Sequence, residues 1–384
     1  MAKQKQKQEK QGIDSILAEL EKKYGLGRLT MEDSIIVNTG SLQLNQAMGV
    51  GGTALGKIVE ILGPESSGKS TIVLHQIAEY QKAFPDRKTA LFDYEHSFDK
   101  KYAKNLGVDV DNLLIYQPET QEDGYDMILA LIENKVVSCV VIDSQSAATP
   151  KAVLQGEMGD ATIGLQARLN SKFCMKVKGL LDNNNCTLFI ISQMRDNIGG
   201  MGESTTTTGG KAIKYYADVR WKVWKMNDKI NELNKTTVDV IKNKLAAPFG
   251  QAKINILWGE GFDKLGELID YAVEFNFIKK GGAWFTFGED KFQGMERIKD
   301  YLEENPEILL DLEKRVLYKL NNDLSLIETN LKKNLFTKIQ YNQQRLLKLN
   351  NKLKDLEEIK NTGNVRLCFG SNKLFRQQFL INSS

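Results

Sequence analysis

The chemistry of this chain is most concentrated around one lysine, Lys69, which follows a run of small residues. The stretch GPESSGKST (63–71) carries the spacing G-x-x-x-x-G-K-[ST] on Gly63, Gly68, Lys69 and Ser70. Glycines lack the Cβ that would stop successive backbone N–H groups from turning inward around phosphate oxygens. A helix starting there adds its positive N-terminus. The ammonium of Lys69 reaches the β/γ-phosphates and the hydroxyl of Ser70 can ligate Mg²⁺. Pro64, Glu65, Ser66, Ser67 and Thr71 complete the cradle, so ATP and Mg²⁺ are the expected cofactors.

A metal held against phosphates needs a carboxylate. The apolar run VVSCVVID (136–143) ends in Asp143, at the strand edge where α/β ligand sites lie. An aspartate buried there without a cation would be costly, so Asp143 is read as the second metal ligand beside Ser70, with Ser144 assisting it. Hydrolysis also needs a group to orient or deprotonate water. Glu95 closes the run TALFDYE, and Asp93 lies on the same side by strand alternation, so periodicity alone does not choose between them. Gln193, at the end of CTLFIIS, is an amide able to sense a γ-phosphate and pass its presence to the loop that begins at Arg195.

These residues need elements to position them. KIVEIL (57–62) reads as a strand, TIVLHQIAEYQKAF as the helix after the glycine loop, and TALFDYE, VVSCVVID and CTLFIIS as further strands. Another amphipathic helix falls near 123–134. Near-continuous apolar strands alternating with helices predict an α/β fold, a mainly parallel sheet covered on both faces. Residues 195–211 are mostly Gly, Thr and polar, and read as a long functional loop. From about 265 the pattern changes to helix, short β element, helix: a small α/β unit. The domain boundaries expected are 1–33, an N-terminal helix with Ile13, Ile16, Leu17 and Leu20 on one stripe; 34–265, the core; 266–320, the small unit; and 321–384, a basic helical tail.

Composition narrows the function further. The 384 residues carry a net charge of only +3. From Lys319 onward there are 12 basic and 5 acidic residues, so the excess positive charge sits in the tail. Polyanion contacts in the main body must come from local patches. Four cysteines without C-x-x-C spacing and two histidines argue against a zinc site. Isolated thiols suit a reducing cytoplasm. The N-terminal MAKQKQKQEK is followed by no apolar stretch of export or membrane length, so no membrane partner is expected.

Several motifs in one order resemble the bacterial and phage recombinases of the RecA family over about residues 13–320. The carriers are GPESSGKST, AIKYYADVR (212–220), KNKLAAPF (242–249) and EGFDKLGELIDYAV (260–273). The resemblance implies a RecA-like P-loop ATPase core, an N-terminal polymerisation helix and a small C-terminal α/β domain. It implies a DNA-dependent ATPase that forms homo-oligomeric helical filaments on single-stranded DNA, pairs them with double-stranded DNA and exchanges strands in DNA repair. A repressor of the LexA type, as in the SOS response, is a further implied partner. By motif match Glu95 rather than Asp93 becomes the catalytic carboxylate, with Lys69 and Gln193. Tyr102 becomes the ring that stacks on adenine, with Asp99 beside it, and Lys242 and Lys244 reach the ATP of the adjacent protomer. Spaced i, i+2 on a strand, the two lysines would share a face. The family's DNA loops match QGEMGDATIG (155–164) and RDNIGGMGESTTTTGG (195–210). Their implied contacts are Arg168, Ser171, Arg195, Gly209, Gly210 and Lys211, with Ile163 or Met201 as a wedge between bases.

The chain departs from the family at three places. The second loop is about a residue short and lacks the usual aromatic, and Met175 stands where an arginine is usual. The basic segment 321–384 replaces an acidic tail. Within it VRLCFGSNKLFRQQF (365–379) weakly resembles the N-terminal part of transposon-encoded nucleases of the TnpB type. Two other readings compete: a hexameric helicase or branch-migration ATPase, and a module that binds filaments without turnover. An acidic tail competes with DNA for basic surface, so its replacement by a basic one should strengthen duplex binding. Truncation at about residue 320 is therefore expected to weaken duplex binding and flatten its dependence on log[salt]; an unchanged slope would mean that the tail touches no phosphate.

Overall fold

The computed structural model describes Glu19 and residues 35–157, 164–196, 205–207, 209–226 and 234–321. The helix expected over 13–24, both wedge candidates (Ile163 and Met201) and the tail from 322, including 365–379, lie outside the described residues.

After strand β1 (Ile36–Val37), helix α1 (Leu42–Met48) and β2 (Thr53–Ala54), strand β3 (Ile58–Gly63) leads through the glycine loop into α2 (Lys69–Ala83). The alternation continues with β4 (Lys88–Asp93), α3 (Lys100–Asn105), β5 (Leu113–Tyr116), α4 (Gln121–Glu133) and β6 (Val137–Asp143). Next come α5 (Lys151–Gln155), α6 (Leu165–Asn184), β7 (Thr187–Asp196), β8 (Thr205–Thr207) and α7 (Ala212–Tyr216). Strands β9 (Val219–Met226), β10 (Asn234–Asn243), β11 (Gln251–Leu257) and β12 (Gly261–Phe262) complete the large sheet. The last described elements are α8 (Lys264–Glu274), β13 (Lys279–Gly281), β14 (Trp284–Phe287), β15 (Asp290–Gln293), α9 (Met295–Glu304) and a helix α10 over 306–321.

The large sheet has the order β12-β11-β10-β9-β3-β7-β6-β4-β5. Neighbours from β9 to β5 are parallel, and β10 to β12 extend the sheet antiparallel. Alternate residues of its central strands feed two cores. Val59, Ile61, Leu91, Val141, Phe189 and Ile191 pack with α2 on one face. Ile58, Ala90, Phe92, Val140, Ile142, Leu188 and Ile190 pack against α4 and α6 on the other. With both faces buried, these strands have no polar side and read as unbroken apolar runs.

Local chemistry sets the helix starts that matter for the site. Thr120 caps α4 by accepting from Asp123 N, and Asp99 caps α3 by accepting from Lys101 N and Tyr102 N. The β element expected after 265 is a three-stranded antiparallel sheet, β13-β14-β15. The described chain up to Leu317 forms one compact unit.

Within that unit Glu267, on α8, caps the first turn of α1. Its carboxylate accepts from the Ser41 hydroxyl (2.9 and 3.0 Å) and from Leu42 N (2.8 Å). Burial pushes its pKa from the usual 4.5 up to about 7; Asp263 acts in the same direction, and the hydrogen bonds from Ser41, Gln43 and Leu42 oppose it. Between those two values the folded chain holds a proton that the unfolded chain has released, so stability falls as pH rises through the window. The whole span corresponds to about 3 kcal/mol. The melting temperature is expected to decline from pH 5 to pH 8, with Glu267→Gln removing that part of the decline. Identical slopes in the two proteins would show that the carboxylate is charged throughout.

Candidate nucleotide site

Parallel register gathers the polar strand ends at one edge. Gly63 lies beside Gln193, and Asp93 beside Asp143. The loop between β3 and α2 is built for an anion. Gly68 adopts φ +98, and a Cβ there would stand 2.8 Å from Ile256 Cδ1. Gly63 passes so close to β9 that a Cβ would lie 2.1 Å from the carbonyl oxygen of Val223. No side chain caps α2, whose first-turn N–H groups open onto the loop. Lys69 folds back to donate to the Pro64 carbonyl. Burial holds its pKa below the ordinary lysine value, opposed by the charges of Asp143, Glu95 and Glu65. These features fit a triphosphate.

Ser70 Oγ donates to Asp143 Oδ2 at 3.0 Å. Asp143 is buried, and burial pushes its pKa up to about 6, with Glu95 and Asp93 adding to the rise and the Ser70 hydrogen bond and Lys69 opposing it. A carboxylate and a hydroxyl in contact beside a small cavity of about 80 Å³, which Asp93 and Asp99 also line, fit an oxygen-preferring divalent cation.

The strand holding Asp93 ends there, two residues earlier than expected, and the chain turns over Tyr94–His96, where His96 has φ +54. Alternation therefore does not put Asp93 and Glu95 on one side. Asp93 is fully buried and accepts from Ser97 N (3.3 Å), Phe98 N (3.2 Å) and Gln117 Nε2 (3.1 Å). Glu95 is exposed at the edge, where its Oε1 accepts from Ser144 Oγ and from Gln193 Nε2 at 2.9 Å. The Gln193 backbone N–H donates to Ser146 Oγ at 3.0 Å.

Beside the loop lies a cavity of about 580 Å³. One wall is α3, with Asp99 and Tyr102, whose hydroxyl lies 2.9 Å from Thr71 Oγ1. The other wall, which the sequence reading missed, comes from Lys225, Thr236, Ile256 and the exposed ring of Trp258. The two glycines of WGEG (258–261), directly after an apolar strand, were the available signal.

Lys242 and Lys244 do not join this edge. Lys242 pairs with Arg220, which pairs with Glu60 near the start of β3. The two lysines thus lie near the opposite edge of the sheet, and β3 alone spans about 16 Å between its ends. A bulge between Val240 and Lys242 and the end of β10 at Asn243 also break the shared strand face expected for them. Lys242 Nζ donates to the carbonyls of Lys214 (2.9 Å) and Tyr215 (3.0 Å), whereas Lys244 pairs with Asp218 (3.1 Å).

The segment that begins at Arg195 is more regular than its composition predicts. β7 runs on past Gln193 to Asp196 and pairs antiparallel with β8, Arg195 opposite Thr206. Its base meets the start of α6: Asn170 Nδ2 donates to the Gly209 carbonyl (2.7 Å), and Gly210 packs on Ala167. A cavity of about 430 Å³ separates this base from Ser146, Thr149 and Gln166. Arg168 is exposed, Ser171 half-buried one turn on, and Met175 exposed a further turn along; Lys211 is exposed beside Gly210.

Two family models match this chain: RecA N-terminal domain over residues 11–263 and RecA C-terminal domain over 266–321. Residues 365–379 lie beyond both. Protein RecA of Clostridium botulinum (strain Alaska E43 / Type E3) is 42% identical over 322 residues, covering 80% of this chain and 90% of that protein. Protein RecA of Mycobacterium marinum is 44% identical over 320 residues, covering 80% and 92%. Protein RecA of Streptomyces coelicolor is 42% identical over 320 residues, covering 80% and 85%.

The geometry separates the two acidic candidates by experiment. Glu95→Gln is expected to lower hydrolysis by about 100-fold or more while nucleotide still binds. Asp93→Asn, which weakens the bonds to Ser97 and Phe98, is expected chiefly to lower the melting temperature. Loss of turnover at full stability in Asp93→Asn would reverse the roles.

Proposed function

The chain belongs to the RecA family, and from that premise we propose how its own residues carry the family's work. It is a DNA-dependent ATPase and recombinase, which forms filaments on single-stranded DNA and exchanges strands. In our reading Lys69 and the N–H groups of residues 65–71 hold the phosphates of ATP, and Ser70 and Asp143 hold Mg²⁺. When bound, magnesium–ATP supplies the phosphoanhydride bond that is cleaved. Glu95 orients the attacking water and accepts its proton. Ser144 and Gln193 fix the direction of that carboxylate, and Tyr102 with Trp258 grips the base.

One observation carries the coupling to DNA. The side chain of Gln193 donates to Glu95, and the strand that bears Gln193 continues directly into the hairpin of the second loop. A displacement of Gln193 at Glu95 and a displacement of the hairpin are movements of one strand. Support for DNA contacts at Arg168, Ser171, Arg195, Gly209, Gly210 and Lys211 is that both loop bases meet at the start of α6. Backbone and hydroxyl contacts there suit binding without base preference. Met175, an exposed apolar residue on the same helix, is expected to lower that affinity relative to an arginine.

Lys242 and Lys244 act on the neighbouring subunit's ATP. Their position near the sheet edge opposite their own phosphate loop supports this. The buried free thiols Cys139, Cys174 and Cys186 suit a cytoplasmic setting. No described helix is long and apolar enough to cross a membrane. A LexA-type repressor completes the proposed partners on the strength of the family.

Mixing two inactive variants tests the shared site. Subunits with Glu95→Gln keep their lysines; subunits with Lys242→Ala and Lys244→Ala keep their carboxylate. Mixed equally on single-stranded DNA, roughly a quarter of random junctions are complete, so hydrolysis should reappear although neither variant hydrolyses ATP alone. No recovery would put the lysines in the same subunit's site. Electron microscopy of the wild type with ATP, Mg²⁺ and single-stranded DNA distinguishes filaments from closed rings.

A further inference from the structure

Gly209, at the base of the second loop, is flanked by two buried amides in opposite conditions. Asn170 is fully engaged: it donates to the Gly209 carbonyl (2.7 Å) and accepts from Gln121 Nε2 (2.7 Å) and the Tyr125 hydroxyl (2.6 Å). Gln145 follows Asp143 and Ser144 directly. It is fully buried, yet neither Nε2 nor Oε1 has a hydrogen-bond partner among the described residues. A Cβ built on Gly209 would stand 2.2 Å from Gln145 Nε2 and 2.5 Å from Asn170 Nδ2, so both carboxamides press on this one glycine.

The Gln145 backbone is settled. Its N–H donates to the Ile191 carbonyl (2.9 Å), and its carbonyl accepts from Gln166 Nε2 (3.1 Å). Only its side chain lacks bonds. A buried amide with two unmade hydrogen bonds is unfavourable, and an apolar side chain of the same shape would avoid that. The Gly209 backbone packs against this carboxamide and offers both a donor and an acceptor. Gly209 and the following Gly210 have φ of +84 and +83, two glycines free to reorient in a way other residues are not.

We propose that Gln145 is a positioning residue for the second loop, whose carboxamide bonds the Gly209–Lys211 backbone in the DNA-bound conformation and not in the free one. The proposal rests on the recombinase reading given above. Because Gln145 is joined covalently to Ser144, whose hydroxyl donates to Glu95, it forms a second link between the nucleotide cluster and the loop, beside the one through the Gln193 side chain. A bond made only in the bound state favours that state by about fivefold to tenfold for one neutral amide.

The test uses Gln145→Leu and Gln145→Met in the full chain, with ATP, Mg²⁺ and oligo(dT). Without DNA, the melting temperature is expected to hold or rise and hydrolysis to stay as in the wild type. With DNA, the oligo(dT) concentration for half-maximal stimulation should rise about fivefold to tenfold while the maximal rate is kept. An unchanged half-maximal concentration overturns the proposal. So does a lower melting temperature or failure to fold in both variants, which would mean that the amide is already bonded in the free chain. If oligo(dT) does not stimulate the wild type, the recombinase reading itself fails, and the proposal with it.

Discussion

The constraint on which this structure depends is that its central strands are apolar on both faces. Charge has nowhere to emerge from β3, β4, β6 and β7 except at their ends. Parallel pairing then brings the C-terminal ends of β3, β4 and β6 to one edge, beside the point at which β7 leaves the parallel sheet, and with them the glycine loop, Asp93, Asp143 and Gln193. The site is thus a consequence of how the core is satisfied. The buried exception tests the rule: Glu60 lies inside β3, and it is tolerated because Arg220 on β9 lies opposite and pairs with it.

Concentrating polar groups at one edge has an electrostatic consequence. Asp143 is pushed up by burial and by Glu95 and Asp93, while Lys69 is pulled down by burial. Each shift disfavours the charged form, and each is of the kind that a divalent cation or a phosphate reverses. Ligand binding and the ionisation of the edge are linked, which makes nucleotide a strong determinant of how the edge is arranged. Asp93 is anchored by the two backbone N–H groups and the Gln117 amide that it accepts from. Glu95 is oriented by two side-chain donors, one of which rides on β7.

Legibility in the sequence followed the range of the forces involved. The phosphate loop, Ser70 and Asp143 were readable because a local motif and an apolar strand specify them together. The choice between Asp93 and Glu95 was not readable from periodicity, because alternation stops where β4 stops and the turn at His96 re-aims the chain. The hairpin of the second loop was hidden in a Gly- and Thr-rich composition; the extension of β7 creates its partner. Lys242 and Lys244 looked like one strand face, but a bulge and a strand end separate them. Trp258, Asn170 and Gln145 carry no motif. Each acquires its surroundings from elements distant in sequence, as does Glu267, which looks like any acidic residue on an amphipathic helix until α1 is packed beneath it.

The two edges of the sheet give the molecule a polarity with a mechanical meaning. If the phosphate cradle lies at one edge and the lysines that complete it lie at the other, the contact between subunits is heterologous, and repetition propagates in one direction. Turnover then belongs to junctions and not to subunits, so the hydrolysis rate counts contacts within the polymer. In the proposed reading, the loops that meet DNA are rooted on β7 and at the start of α6, inside the same subunit whose edge bears Glu95. On that reading each subunit meets DNA beside its own carboxylate while a neighbour supplies the cations. A signal from DNA would then cross one strand to reach the chemistry and one interface to reach the next subunit, a short route by which binding along a strand can be made cooperative.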